Sequence, residues 1–273
     1  MVPAPLHEAG PLRLKACRHG LLLYNHHDTH VGRSLDLYGE YCEAEVALFR
    51  QIVRPGMFVV DAGANIGAHT VFLAQHVGAA GRVFAFEPQR LVYQILNANV
   101  ALAGLTNVVT AQAALGAAAG SLKVPELDPN AANNVGALGL GGFSEGEDVP
   151  VRTLDDLGLA RCDFIKIDVE GMEHEVLAGA AALLLRCQPR LYVENDRKQK
   201  SPALIQWLQS HGYRCYWHYS PFFSPHNHFG NPDNVFGPLV CLNMLCLPAA
   251  DPVQPTGFRQ VTGPDDWPDL RAG

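Results

Sequence analysis

Four groups of residues in this 273-residue chain combine chemistry with spacing. Asp61, Gly63, Asn65 and Gly67 stand at alternate positions after the apolar run Met57–Val60. Glu87-Pro88 closes a second run, RVFAF at 82–86, Asp168 and Glu170 follow FIKI at 164–167, and Glu194-Asn195 follows PRLYV at 189–193. Glycine lets a backbone turn sharply and approach a ligand with no Cβ in the way. A dinucleotide site would want G-x-G-x-x-G, whose third glycine is missing here. An acid at the strand tip repels a diphosphate and suits a cation. S-adenosylmethionine, with its ammonium and sulfonium, fits that demand. Glu87, at the end of the next strand, is placed to take both ribose hydroxyls.

The elements that must hold these groups are short. Met57–Val60 reads as a strand buried on both faces, and the apolar residues from Ile66 onward read as a helix. Strand, glycine turn and helix make the ligand-binding corner of a doubly wound α/β sheet, where ligands lie outside the carboxyl ends of the strands. A helix from Leu91 stops at Gly104, and Val108–Ala111 is the third strand. Gln112 and Ala113 fall beyond its end, where an adenine would lie, and a hairpin arm follows to Val124. The Gly- and Asn-rich stretch 125–149 reads as an irregular loop, with Asn133 and Asn134 as turn formers in preference to acceptor contacts. Single helices are expected over Leu37–Val53, Met172–Leu184 and Pro202–His211. Tyr213–Trp217 is the sixth strand and Leu239–Leu247 the last, antiparallel one. His26, His27 and His30 do not share a helix face and read as a surface turn.

VVDAGANIGAHT, GRVFAFEP and FIKIDVEGMEHEVLAGA resemble the FkbM-type S-adenosylmethionine-dependent methyltransferases, over roughly Asp36 to Pro248. That resemblance implies a class I, Rossmann-like methyltransferase. Its sheet would be seven-stranded and mostly parallel with an antiparallel last strand, helices on both faces and a small N-terminal β/helical extension. The family places an aromatic-Gly-Glu segment at the cofactor entrance, which Tyr38, Gly39 and Glu40 match. It further implies methyl transfer to a hydroxyl of a sugar or secondary metabolite. Amine or carboxylate acceptors and a non-catalytic cofactor-binding protein stand as alternatives. The cofactor set is then Tyr38, Asp61, Gly63, Asn65, Gly67, Glu87, Pro88, Gln112, Ala113 and Asp168. Base candidates are Asp168, Glu170, Glu194 and His218. Acids after two neighbouring strands also resemble the catechol-type O-methyltransferases, in which such residues bind magnesium; here Asp168, Glu194 and Asn195 would be the ligands, or the carboxylates would grip sugar hydroxyls. The aromatic stretch His218–Pro238 is expected to be an acceptor lid, offering Phe222, Phe223, Phe229 and Phe236.

Composition bounds the rest. Residues 1–54 read as an extension with a pocket-covering helix, 55–248 as the catalytic core and 249–273 as a surface tail. A net charge of −7 argues against a nucleic-acid binder held by phosphate contacts, while leaving room for an acidic enzyme with a local basic groove; a small-molecule or carbohydrate partner is what the resemblance implies. No apolar run is long enough for a membrane span. The first residues lack a secretion-signal pattern, and the seven scattered cysteines show no CxxC spacing. Reduced thiols in a cytoplasm are the expectation. Oligomeric state leaves no mark in the sequence.

Overall fold

The computed structural model describes residues 2–134, 136, 138–139 and 141–268. Positions 135, 137 and 140 of the expected loop and 269–273 of the expected tail lie outside the described residues. The chain opens with an antiparallel meander, β1 (His7–Ala9), β2 (Leu12–Cys17) and β3 (Gly20–Asn25). Helices α1 (Val31–Tyr38) and α2 (Glu43–Ile52) follow. The single helix expected here is broken because Gly39 and Cys42 adopt left-handed backbone, at φ 67° and 44°. Next come β4 (Phe58–Ala62), α3 (Ala68–Val77), β5 (Arg82–Phe86), α4 (Arg90–Leu102) and β6 (Val108–Ala111). A small sheet of β7 (Ala114–Leu115), β8 (Gly120–Val124) and β9 (Glu147–Arg152) branches off. The chain then returns through β10 (Phe164–Ile167), α5 (Glu173–Ala178), α6 (Ala181–Cys187), β11 (Arg190–Glu194) and α7 (Ser201–Ser210). It ends with β12 (Tyr213–Pro221), β13 (Val240–Pro248) and β14 (Arg259–Gln260). A single helix was expected to span α5 and α6. It breaks near Gly179, where a Cβ would collide with the Gly116 carbonyl.

Among the described residues the main sheet has eight strands in the order β14-β12-β13-β11-β10-β4-β5-β6, not seven. β11, β10, β4, β5 and β6 are parallel neighbours, and β13 enters antiparallel between β11 and β12. The extra strand comes from the stretch expected to lie on the surface. β14 pairs with β12, which would otherwise present an open row of backbone donors and acceptors at the sheet edge. Val261 is buried beside it, Trp267 packs edge-on to Trp217, and Asp251 takes a two-pronged ion pair from Arg190 at 2.7 and 3.2 Å.

Both faces of the sheet are covered. α2 and α3 lay Val46, Phe49, Phe72 and Leu73 on Val59, Val83, Phe164 and Tyr192. On the opposite face Val176, Leu183 and Leu204 pack on Ile165, Ile167 and Val193. Because β-strand side chains alternate, Asp61, Lys166 and Glu194 point to the same face as Val59, Phe164 and Tyr192. The polar residues at the carboxyl ends of β4, β10 and β11 therefore gather under α2 and the N-terminal extension. Among the described residues no helix is long and apolar enough to cross a membrane.

Candidate active site

The turn after β4 is set by local backbone chemistry. Gly63, Asn65 and Gly67 have φ of 76°, 50° and 85°, values that glycine adopts freely and asparagine tolerates. A Cβ on Gly63 would strike the Asp168 backbone, so this glycine is also what lets the ends of β4 and β10 close together. Glu87 ties the turn to β5. Its two carboxylate oxygens accept the Asn65 N–H at 3.0 Å and the Gln89 N–H at 2.9 Å. Burial pushes this carboxyl up to about 7 despite those two donors.

Two adjoining cavities open around Glu87. The larger has a volume of about 1060 Å³ including its open mouth, the smaller about 470 Å³. Gly63, Glu87, Gln89, Gly136, Asp168 and Glu170 border both. Phe86, Ala113, Leu115, Val169 and Met172 give the smaller one its apolar walls. The larger one is polar toward β10 and β11 and aromatic at Tyr41 and Phe222.

Three carboxylates converge on that larger cavity. Asp168, Glu170 and Glu194 bring oxygens within 4.8 Å of one another. Burial, then the charges of Asp168 and Glu170, hold the Glu194 carboxyl well above the usual range. One of its oxygens, Oε2, is buried without a protein partner. Glu170 is pushed up to about 8 by burial and by Asp168, although Arg197 donates to it at 2.7 Å. Against these acids stands one buried cation. The Lys166 ammonium lies 3.1 Å from Asp168 and 3.5 Å from Asp61, and their attraction outweighs burial and raises its pKa. Thr70 donates its hydroxyl to the other Asp61 oxygen at 2.6 Å.

Several expected site residues lie elsewhere. Asp61 is fully buried on Thr70 and Lys166 and does not border either cavity; it braces the site from behind. Gly67 caps α3 and packs against Leu96 of α4. Tyr38 is fully buried, donating its hydroxyl to the Asp233 carbonyl at 2.8 Å and accepting the Val235 N–H at 3.0 Å; Tyr41 reaches the cavity instead. Gln112 turns its amide to the Pro88 carbonyl and Glu147, whereas Ala113 and Pro88 border the smaller cavity. His218 packs against Phe258 and shares a hydrogen bond with the Tyr192 hydroxyl at 2.7 Å, and burial lowers its pKa to about 4. Asn195 is buried with its amide on Ser201 at 3.0 Å, away from the three acids. Asn195 departs because it follows Glu194 directly and successive strand residues face opposite ways, whereas His218 is level with Glu194 through Asn243 but stands two strands away across the sheet.

Other cavity residues carried weaker signals. His30, expected in a surface turn, and Asn134, read as a turn former in preference to an acceptor contact, both border the larger cavity. Of the aromatic stretch, Phe222 borders it, while Phe223 and Phe236 pack on Tyr38 and Phe229 lies over Gly39. That stretch is pinned by the Tyr38 bonds and by the His228 N–H donating to Glu40 at 2.8 Å. Lys166, Glu45 and His69 were missed. A lysine inside a four-residue apolar strand, and a glutamate amid the apolar stripe of α2, are signals in themselves, since buried charges need partners. Glu45 accepts from the Asn243 amide at 3.0 Å, and burial pushes it up to about 8; burial lowers His69 well below the usual imidazole range.

Comparison with known proteins matches the same stretch of chain. The model of the methyltransferase FkbM domain matches residues 61–215, more than half of the 273 residues. Methyltransferase sdnD of Sordaria araneosa is 32% identical over 156 residues, which are 45% of this chain and 60% of that protein. The match thus spans less than two thirds of the relative's length. Among solved structures, methyltransferase FkbM of Methylobacillus flagellatus KT aligns with a TM-score of 0.47 at 19% identity, over 74% of this chain and 50% of that one. The O-methyltransferase TomG of Streptomyces achromogenes, solved with S-adenosylmethionine, aligns with a TM-score of 0.46 at 14% identity, over 76% and 78% of the two chains. The chain belongs to the FkbM methyltransferase family.

Proposed function

We propose that this enzyme methylates a hydroxyl oxygen of a small, polar acceptor, a sugar or glycosylated metabolite, with Glu194 as the base. The observation that carries the proposal is the cluster of Asp168, Glu170 and Glu194 on a cavity that adjoins a second one with apolar walls at Phe86, Ala113 and Leu115. The residues suit the methyl donor. The apolar walls at Phe86, Ala113 and Leu115 match an adenine, Glu87 at the junction matches a ribose diol, and the acids match a ligand bearing ammonium and sulfonium. Pro88, Gly63, Asn65 and Asp168 complete this reading of the donor site.

The bound donor supplies an electrophilic methyl carbon on sulfur. The protein has to hold the acceptor oxygen in line with it, positioning worth about 7–11 kcal/mol. As the new O–C bond forms and the S–C bond breaks, the hydroxyl proton passes to Glu194. A positioned general base is worth about 10²–10⁴-fold, and burial beside Asp168 and Glu170 makes the ionised Glu194 a stronger base than an ordinary carboxylate. Lys166 pairs with Asp168 at 3.1 Å, and the neighbouring Asp168 and Glu170 carboxylates add to burial in raising Glu194.

A second reading has Asp168, Glu170 and Glu194 hold magnesium, since a hard cation takes oxygen ligands. The ammonium of Lys166 on Asp168 and the guanidinium of Arg197 on Glu170 already occupy part of that charge. The base reading is therefore preferred. Asn195 drops out of the set because its amide is committed to Ser201.

The test is methyl transfer from labelled donor into a panel of sugars, glycosides, amines and carboxylic acids. An alkali-stable methyl ether is expected, with kcat of Glu194→Gln reduced at least a hundredfold and donor affinity within a few-fold of the parent. An alkali-labile ester or an N-methyl product would overturn the acceptor assignment. An unchanged kcat would remove Glu194 as base.

A further inference from the structure

We propose that Cys42, Glu45, His69 and Cys241 form a binding site for a thiophilic divalent cation of the zinc type. The site is separate from the three-acid cluster and from the reading of the reaction given above. Cys42 ends the elbow before α2, and Glu45 lies three residues on, so the two share one side of the helix start. Cys241, the second residue of β13, brings its Sγ to 3.3 Å from that of Cys42. The donor atoms of Cys42, Glu45 and Cys241 all lie within 4.8 Å of one another. His69, from the first turn of α3, adds the fourth donor, its Nε2 lying 3.7 Å from Glu45 Oε2. This nitrogen is buried, in a residue only 5% exposed, and has no hydrogen-bond partner in the protein. A buried, unpartnered ring nitrogen beside the carboxylate that two thiols also approach is costly unless something joins it to that carboxylate.

Two sulfurs, one imidazole and one carboxylate are what zinc accepts in tetrahedral sites, whereas magnesium asks for oxygen alone. With Zn–S of about 2.3 Å a tetrahedral ion sets its two sulfurs roughly 3.8 Å apart, so the thiols need to part by about half an ångström. Glu45 already has an outer partner, since Asn243 Nδ2 donates to its Oε1 at 3.0 Å and leaves Oε2 toward His69. His69 and Cys241 border the larger cavity, which supplies a route for the ion. A bound ion would clamp α2, α3 and β13 together beside the acceptor space.

Cobalt(II), whose spectrum reports its ligands, is the probe. Titrated into metal-free full-length chain under reducing conditions, it should give one equivalent of binding with thiolate-to-cobalt absorption and tetrahedral visible bands. Zinc should displace it, and elemental analysis should then find one zinc per chain. Cys241→Ser and His69→Gln, checked for folding by circular dichroism, should bind at least tenfold more weakly. Asp168→Asn should keep the full spectrum. No cobalt uptake by the parent, a spectrum without thiolate absorption, or loss of binding in Asp168→Asn overturns the proposal. So does a Cys42–Cys241 disulfide found by mass spectrometry in protein kept reduced.

Discussion

Glu87 makes a sharp test of the donor site because its charge state and its contacts can be separated. Both its oxygens are engaged by backbone N–H groups, at 3.0 Å from Asn65 and 2.9 Å from Gln89, and burial brings its pKa to about 7. Accepting two ribose hydroxyls as well requires the ionised form, since a protonated carboxyl would aim an O–H where donors already point. Binding should then strengthen as pH rises. A group with pKa of about 7 is roughly 3% ionised at pH 5.5 and roughly three-quarters ionised at pH 7.5, so its share of the effect is about 25-fold in Kd. Glu170, pushed up to about 8, adds to the trend in the same direction because its charge also attracts a cationic ligand. Glu87→Gln removes one proton from this linkage and forfeits charge-assisted bonds of about 1.5–3 kcal/mol each. Calorimetric titration of the donor between pH 5.5 and 7.5 is the assay. The variant should bind at least thirtyfold more weakly at pH 7.5 and show a flatter dependence on pH. A folded Glu87→Gln protein with the parent's affinity and slope would refute the argument for the ribose contact.

Lys166→Met leaves Asp61 and Asp168 without their buried cation, a loss of about 3–5 kcal/mol expected in urea unfolding; a change below about 1 kcal/mol would mean that the two acids are neutralised another way. Glu45, Glu87 and Glu170 all have folded pKa values raised above 4.5, to about 8, 7 and 8. The stability each adds is complete below its unfolded pKa and is lost as pH rises through 7–8, so the ligand-free protein should melt lower at pH 9 than at pH 5, and a flat profile would contradict the burial of these acids. Phe222→Ala should raise the acceptor KM with donor Kd unchanged, because Phe222 borders the larger cavity but not the smaller one; a weakened donor Kd would assign that wall to the donor. Exhaustive chelation should leave methyl transfer intact if Glu194 acts as base, whereas loss restored by magnesium would favour the metal reading of the three acids.

What the sequence determined by itself was local. The β4 turn was legible because three residues in a row of alternate positions, Gly63, Asn65 and Gly67, are types that take left-handed backbone, and they do so at φ 76°, 50° and 85°. The acids after β5, β10 and β11 were legible because an apolar run that stops at a carboxylate marks a strand end in any α/β sheet. Tertiary structure decided which of those side chains meet. Glu45, His69 and Lys166 come from α2, α3 and β10, and no spacing in the chain encodes that packing α2 over β4 and β10 brings them into one buried cluster. Tyr38 and Tyr41 differ by three residues, yet the left-handed Gly39 turns the chain between them, burying one on Asp233 and sending the other to the cavity. The eighth strand had no signal either, because Arg259-Gln260 is a strand only through the ladder that β12 offers it. Strand ends and glycine turns follow from a few bonded neighbours, whereas burial, pKa and the partner of a charge follow from contacts between residues far apart in sequence.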